Sequence, residues 1–272
     1  MNVVFIHGWA CGWQDWTSVT SLLPVNVKVG LAKLPGSPGA FPLEGAISLN
    51  DCAAHVLSEA DNLDFDNFAL VGHSMGARIA LELAANWPRR VSRLLLIDGS
   101  NVPEDPDQAT SRLAGQLEQF GRRGCAETAI ESMMVNNLDP DQRWHLVTRV
   151  AQHPTNTLLA YYYAMAAWDQ GDFIPALDRI TCPVTVLQST SLDEHETRRS
   201  VIAHPSSNWL DVIRARVSLA EIRLVPDVGH FVMLECPQMV ASWIQKIPQT
   251  DRGDHCGSFG QKTKQKSRWN LT

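Results

Sequence analysis

The chain's 272 residues, 44% apolar and 19% charged, suffice for one large core or a core with a small cap. A net charge of −6 favours solubility and argues against a nucleic-acid partner, and no run of eighteen apolar residues offers a membrane span. The cysteines at 11, 52, 125, 182, 236 and 256 form no C-x-x-C pair and no metal-ligand spacing, which predicts free thiols in a cytoplasmic protein without a metal or organic cofactor.

Met1-Asn2 leads directly into an apolar strand over 3–6, with no basic segment, apolar stretch and cleavage site, so no secretory signal is expected. That strand runs into His7-Gly8-Trp9. A helix over 13–23 and a strand over 26–31 follow, then the loop Leu34-Pro35-Gly36-Ser37-Pro38-Gly39. Ser48-Leu49-Asn50-Asp51 has the form of a capping box for a helix over 48–61. A buried strand over 67–72 meets Gly72-His73-Ser74-Met75-Gly76, and a helix over 75–87 places Ile79, Ala80, Leu83, Ala84 and Trp87 on one face before Pro88 stops it. The next strand, 91–97, ends at Asp98.

Between Asn101 and Ile180 the alternation of strand and helix lapses into four helical segments, 107–121, 124–136, 140–151 and 155–168. Alternation resumes with a strand over 183–188, a helix near 195–203, a strand over 220–225 and a helix over 236–247. The fold class expected is α/β: a mostly parallel sheet of about six strands with helices on both faces. The predicted organisation is a core of 1–100 and 181–248, a helical cap of 101–180 over the carboxyl ends of the strands, and a tail of 249–272. That tail is polar, aperiodic and basic, with Arg252, Lys262, Lys264, Lys266 and Arg268 against Asp251 and Asp254, and is expected to be disordered. Tyr161, Tyr162, Tyr163, Met165, Trp168, Met133 and Met134 are shared in expectation between an apolar pocket wall and ordinary packing, and no basic cluster marks the pocket.

A serine in G-x-S-x-G between a strand and a helix sits on a sharp turn that lifts its hydroxyl clear of the sheet. Serine is a poor nucleophile at neutral pH and needs a base, and His230, in Gly229-His230-Phe231 between the last strand and last helix, is placed to be one. The base needs a carboxylate to hold its tautomer. Asp193, after the strand at 183–188, is the first choice; Asp98, Glu194 and Glu196 compete for the role.

Together, H-G-W-x-x-G-W-x-D-W at 7–16, G-H-S-M-G at 72–76 and G-H-F at 229–231 resemble the α/β-hydrolase superfamily over residues 2–248. Within it the chain is similar to small single-domain serine esterases, including pimeloyl-carrier-protein methyl esterases and the plant methyl esterase and hydroxynitrile lyase group. The resemblance implies an α/β-hydrolase fold and a Ser74, His230 and Asp193 triad. It also implies an oxyanion hole from the main-chain N–H groups of Trp9 and Met75. The expected activity is hydrolysis of a small-molecule ester or lactone with an apolar part through an acyl-enzyme. An acyl-homoserine lactone is one possible substrate, and elimination by the same triad, as in lyases of menaquinone synthesis, is the alternative. The sequence is silent on oligomeric state.

Overall fold

The computed structural model describes residues 1–135, 138–193, 198–201 and 207–246. Among the described residues eight strands are formed: β1 (Asn2–Ile6), β2 (Lys28–Leu31), β3 (Phe68–His73), β4 (Val91–Ile97), β5 (Val184–Gln188), β6 (Thr190–Leu192), β7 (Arg198–Ser200) and β8 (Ala220–Leu224). Six make one all-parallel sheet in the order β2-β1-β3-β4-β5-β8. The helices are α1 (Thr17–Thr20), α2 (Leu49–Asn62), α3 (Met75–Asn86), α4 (Pro106–Met133), α5 (Pro140–Gln152), α6 (Thr155–Gly171), α7 (Phe173–Asp178), α8 (Asn208–Arg216), α9 (Val232–Glu235) and α10 (Pro237–Gln245).

Alternation along the strands sorts the apolar residues into two cores. Val4, Ile6, Leu70, Leu94, Leu96 and Val186 face α2, α3, α7 and α8. Val3, Phe5, Val71, Leu95, Ile97 and Leu187 face the other way, onto Val19, Val232, Met233, Val240 and Ile244. The capping box opens α2 as its sequence implied: Ser48 Oγ accepts from Asp51 N at 3.1 Å, and the Asp51 carboxylate accepts from Ser48 N at 2.9 Å.

The register aligns the carboxyl ends of the strands. Ile6 pairs with Gly72, His73 with Ile97, and Ile97 with Leu187. The residues just beyond, His7, Ser74, Asp98 and Gln188, therefore share one rim of the sheet. The chain passes from β1 outward to β2, then resumes at β3 on the opposite side of β1. Such a reversal of winding leaves a crevice beyond the strand ends, where ligands bind in open α/β sheets.

Helices α4 to α7 fill the long connection from β4 to β5. Helix α4 breaks at Gly121 (φ 67, ψ 169), a conformation open to glycine but not to ordinary side chains. Buried hydrogen bonds link the core to the insertion. Arg78 of α3 grips Asp169 of α6 through two 2.7 Å bonds, and Trp168 donates to Glu82 at 2.8 Å.

One local expectation changes. Where a helix was expected near 195–203, the described residues 198–200 form β7, antiparallel to β6, with Thr190 opposite Ser200 and Leu192 opposite Arg198. Residues 194–197 and 202–206 lie outside the described residues, as does the tail at 249–272. Helix α8, which packs Trp209 against Phe173 with ring centroids 5.3 Å apart, carries the connection to β8 instead. Among the described residues no helix is long and apolar enough to cross a membrane.

The turn after β3 depends on bare backbone. A Cβ on Gly76 would overlap the Ile6 carbonyl, and one on Gly72 would overlap the Gly76 carbonyl. Gly76→Ala is expected to cost upwards of about 3 kcal/mol, because the obstruction is main chain and cannot swing aside. In a domain of this size that lowers Tm by roughly 6–12 °C. Gly115→Ala, at a helical position with nothing within 4 Å of the new methyl, is the control and leaves Tm unchanged or slightly raised. Thermal unfolding of both variants checks the contrast.

Candidate active site

Ser74 occupies the turn between β3 and α3 at φ 54, ψ −114, a strained conformation for a residue with a side chain. Ala10 (φ 54) and Asp98 (φ 43) are also in the left-handed region, so backbone strain gathers on this rim. Beside the serine runs the loop after β1. A Cβ built on Gly8 would stand 3.3 Å from the Ser74 Cβ and 2.9 Å from His73 Nδ1. The next residue, Trp9, anchors its indole by donating to the Leu158 carbonyl at 3.0 Å. Among the described residues, the main-chain N–H groups of Trp9 and Met75 donate to no protein acceptor. Buried amide groups are almost always paired, so unpaired ones close to Ser74 mark this turn out.

His230 lies just past β8, 2% exposed, with its main chain held from two sides. Its N–H donates to the Met133 carbonyl at the end of α4 at 2.8 Å, and its carbonyl oxygen lies 2.9 Å from Nε2 of His73, which donates to it. His230 and Ser74 line a narrow cavity of about 30 Å³ with Gly8, Trp9 and Met133. They make no hydrogen bond to each other; bonds of this type commonly tighten only when substrate is present.

The carboxylate on His230 is Asp98. Its Oδ2 lies 2.6 Å from His230 Nδ1, and Asp98 has no exposed surface. Ser189 N at 2.9 Å, Thr190 N at 2.7 Å, Thr190 Oγ1 at 2.6 Å and Gln188 Nε2 at 3.1 Å complete its hydrogen bonds, with Arg198 Nη1 at 3.3 Å. Asp193, the first choice from sequence, stands elsewhere: it lies past β6 and pairs with Arg199 at 3.0 Å. The reason is local. The strand ends of β4 and β5 are neighbours, with Asp98 N bonded to the Leu187 carbonyl at 2.8 Å, so either can reach the histidine. Here the β5 end supplies Ser189 and Thr190, which are donors, and the chain runs straight on into the hairpin. Glu194 and Glu196 lie outside the described residues.

Burial, reinforced by the Arg198 charge, pulls the His230 imidazole below its usual 6.5 against the raising effect of Asp98. Burial would raise the Asp98 carboxyl. The His230 bond and the positive charges of His230 and Arg198 outweigh it and hold the carboxyl below its usual range. The pair at neutral pH is therefore a neutral imidazole on a carboxylate.

A larger cavity of about 280 Å³ opens over Ser74 beneath the helical insertion. Tyr162, Met165 and Met133 line it, whereas Tyr161 and Trp168 are packing residues: Tyr161 donates to the Pro35 carbonyl at 2.9 Å and Trp168 packs on Phe173. Tyr163 is largely exposed, and Met134 borders a separate groove on the insertion. No basic pocket-lining cluster is apparent in the sequence, yet Arg78, Arg122 and Arg198 all line this cavity. They come from three distant parts of the chain, so no run of basic residues announces them. Among the described residues no group of three or more His, Cys, Asp or Glu could hold a metal ion.

The model of the Alpha/beta hydrolase family matches residues 3–243, and the chain belongs to that family. Among curated relatives, a pimeloyl-[acyl-carrier protein] methyl ester esterase of Aromatoleum aromaticum is 26% identical over 265 residues, spanning 90% of this chain and 97% of the relative. A 2-hydroxy-6-oxononadienedioate/2-hydroxy-6-oxononatrienedioate hydrolase of Pseudomonas putida is 32% identical over 110 residues, 39% of each chain. An esterase from Thermogutta terrifontis shares the fold at TM-score 0.75 and 20% identity, covering 90% of this chain and 88% of its own. An enol-lactonase from Burkholderia xenovorans does so at TM-score 0.72 and 15% identity, covering 90% and 89%.

Two outcomes follow from this geometry. Asp98→Asn is expected to lower kcat by up to about 10⁴-fold, whereas Asp193→Asn changes it by less than about threefold; steady-state kinetics of both variants on one ester checks the assignment. Only the neutral imidazole accepts a proton, so activity falls as pH drops through the His230 pKa. With that pKa depressed, kcat/KM should stay flat from pH 8 down past 6.5 and decline only below it, as a pH–rate profile will show.

Proposed function

We propose that this protein is a serine hydrolase of carboxylic esters. The observation that carries the reading is Ser74 on a strained turn (φ 54, ψ −114), between two unpartnered main-chain N–H groups and sharing a cavity with a histidine already bonded to a carboxylate. In this reading Ser74 Oγ attacks the ester carbonyl while His230 takes its proton. The N–H groups of Trp9 and Met75 hold the oxyanion, a contribution typically worth about 10²–10³ in rate per donor. His230 then returns the proton to the leaving alcohol, and water repeats the cycle on the acyl-Ser74. Asp98 fixes the histidine tautomer and stabilises the imidazolium. No step needs a metal or an organic cofactor.

The long match to a methyl ester esterase supports an ester of a carboxylic acid as substrate. The cavity wall of Tyr162, Met165, Leu117 and Leu158 suits an apolar segment between the reacting carbonyl and the rest of the molecule. A lactone is an ester closed on itself and makes the same demands on the machinery. The five described cysteines, all free thiols, fit a cytoplasmic setting.

The test is hydrolysis of p-nitrophenyl esters from acetate to decanoate, with a lactone series beside it, by wild type and Ser74→Ala. Wild-type turnover is expected with a chain-length optimum, and Ser74→Ala should lose roughly four to six orders of magnitude in kcat while keeping its Tm. Undiminished activity in Ser74→Ala would overturn the reading.

A further inference from the structure

The arginines around the large cavity are not equivalent. Arg78 is buried, and its Nε and Nη2 atoms, one edge of the guanidinium, hold the two oxygens of Asp169 at 2.7 Å each. Arg198, on β7, has a side chain only 11% exposed and uses a single nitrogen, Nη1, for both Thr190 Oγ1 at 3.0 Å and Asp98 at 3.3 Å. Its Nε–Nη2 edge donates to no described residue. Both arginines line the cavity above Ser74, and both charges act on His230. Arg122 stands at the exposed rim, donating one nitrogen to the His153 carbonyl and paired with no described carboxylate.

A buried cation is costly unless paired and hydrogen-bonded. Asp98 does not satisfy Arg198, since its oxygens are shared with five other donors and its charge serves the histidine. What remains, among the described residues, is a two-pronged edge without an acceptor, the same edge with which Arg78 grips a carboxylate on the wall of the same cavity. Planar bidentate recognition of this kind is what a guanidinium offers and an ammonium does not.

Building on the ester-hydrolase reading, we propose that the substrate is a half-ester: a carboxylic ester bearing a second, free carboxylate, which seats on the Nε–Nη2 edge of Arg198. The apolar wall then spans the carbons between the two ends. Arg122 draws the anion in at the mouth, and Arg78, locked to Asp169, adds its field without moving.

The experiment compares monomethyl esters of straight dicarboxylic acids, from succinate to suberate, with methyl esters of the monocarboxylic acids of equal length, at low salt. For each protein the ratio of kcat/KM, charged to neutral, is taken at each length. In wild type this ratio should exceed about tenfold at one or two lengths, the return expected from a charge-assisted bidentate contact. It should fall at least tenfold in Arg198→Gln, with Arg198→Lys between. Because the ratio is formed within each protein, any harm from losing the Arg198–Asp98 contact slows both esters and cancels. A wild-type ratio near or below one, with neutral esters turned over, overturns the carboxylate seat and leaves ester hydrolysis standing. If no ester is turned over, the hydrolase reading fails and the seat is judged by binding. Free dicarboxylates at about 10 mM should then raise Tm by at least about 2 °C in wild type and not in Arg198→Gln; no wild-type shift overturns the seat.

Discussion

A buried carboxylate organises this molecule. Asp98 stands at the carboxyl end of β4 with no solvent contact, and an ion so placed survives only if the protein surrounds it with donors. The structure supplies them from three directions: the end of β5 through Gln188, Ser189 and Thr190, the hairpin through Arg198, and the loop beyond β8 through His230. Each is thereby fixed in place. The histidine takes one tautomer, the hairpin is pinned at its second strand, and β5 cannot slip against β4 without stripping a charge of its partners. The bonds that satisfy Asp98 also hold His230 and the strand ends, so none of them can be altered alone at this corner.

The serine side obeys a different constraint, the exclusion of side chains. Gly72 and Gly76 let α3 cross almost in contact with β1, and that crossing holds Ser74 beyond the sheet with the Gly8 loop against it. The charged links to the insertion begin one turn later on the same helix. Arg78 and Glu82 reach Asp169 and Trp168, so α3 connects Ser74, the sheet and the helical insertion.

Much of this was written in local sequence. The six sheet strands, the capping box at Ser48, the turn at Ser74 and the loop at His230 each depend on a few adjacent residues whose preferences agree. The identity of the acid did not, because it is decided by which of two neighbouring strand ends carries an aspartate, a fact of register. Leu94-Leu95-Leu96-Ile97-Asp98 and Val184-Thr185-Val186-Leu187-Gln188 are equally good strands. The lack of a glycine after the second was the one local sign that its loop had another use. The hairpin was missed for a related reason: β6 and β7 are three residues each, too short for a periodic signature. The three arginines were invisible because residues 78, 122 and 198 meet only in space.

One bond joins the two halves of the site in an unexpected way. The His230 amide donates to the Met133 carbonyl, the last residue of the broken helix α4. His230 is thus tethered to the insertion that lines the cavity as well as to the sheet below. Any excursion that parts Met133 from the loop after β8 must first break this hydrogen bond, leaving a buried amide without an acceptor. A change in how the insertion packs at Met133 is therefore felt at the loop that carries His230.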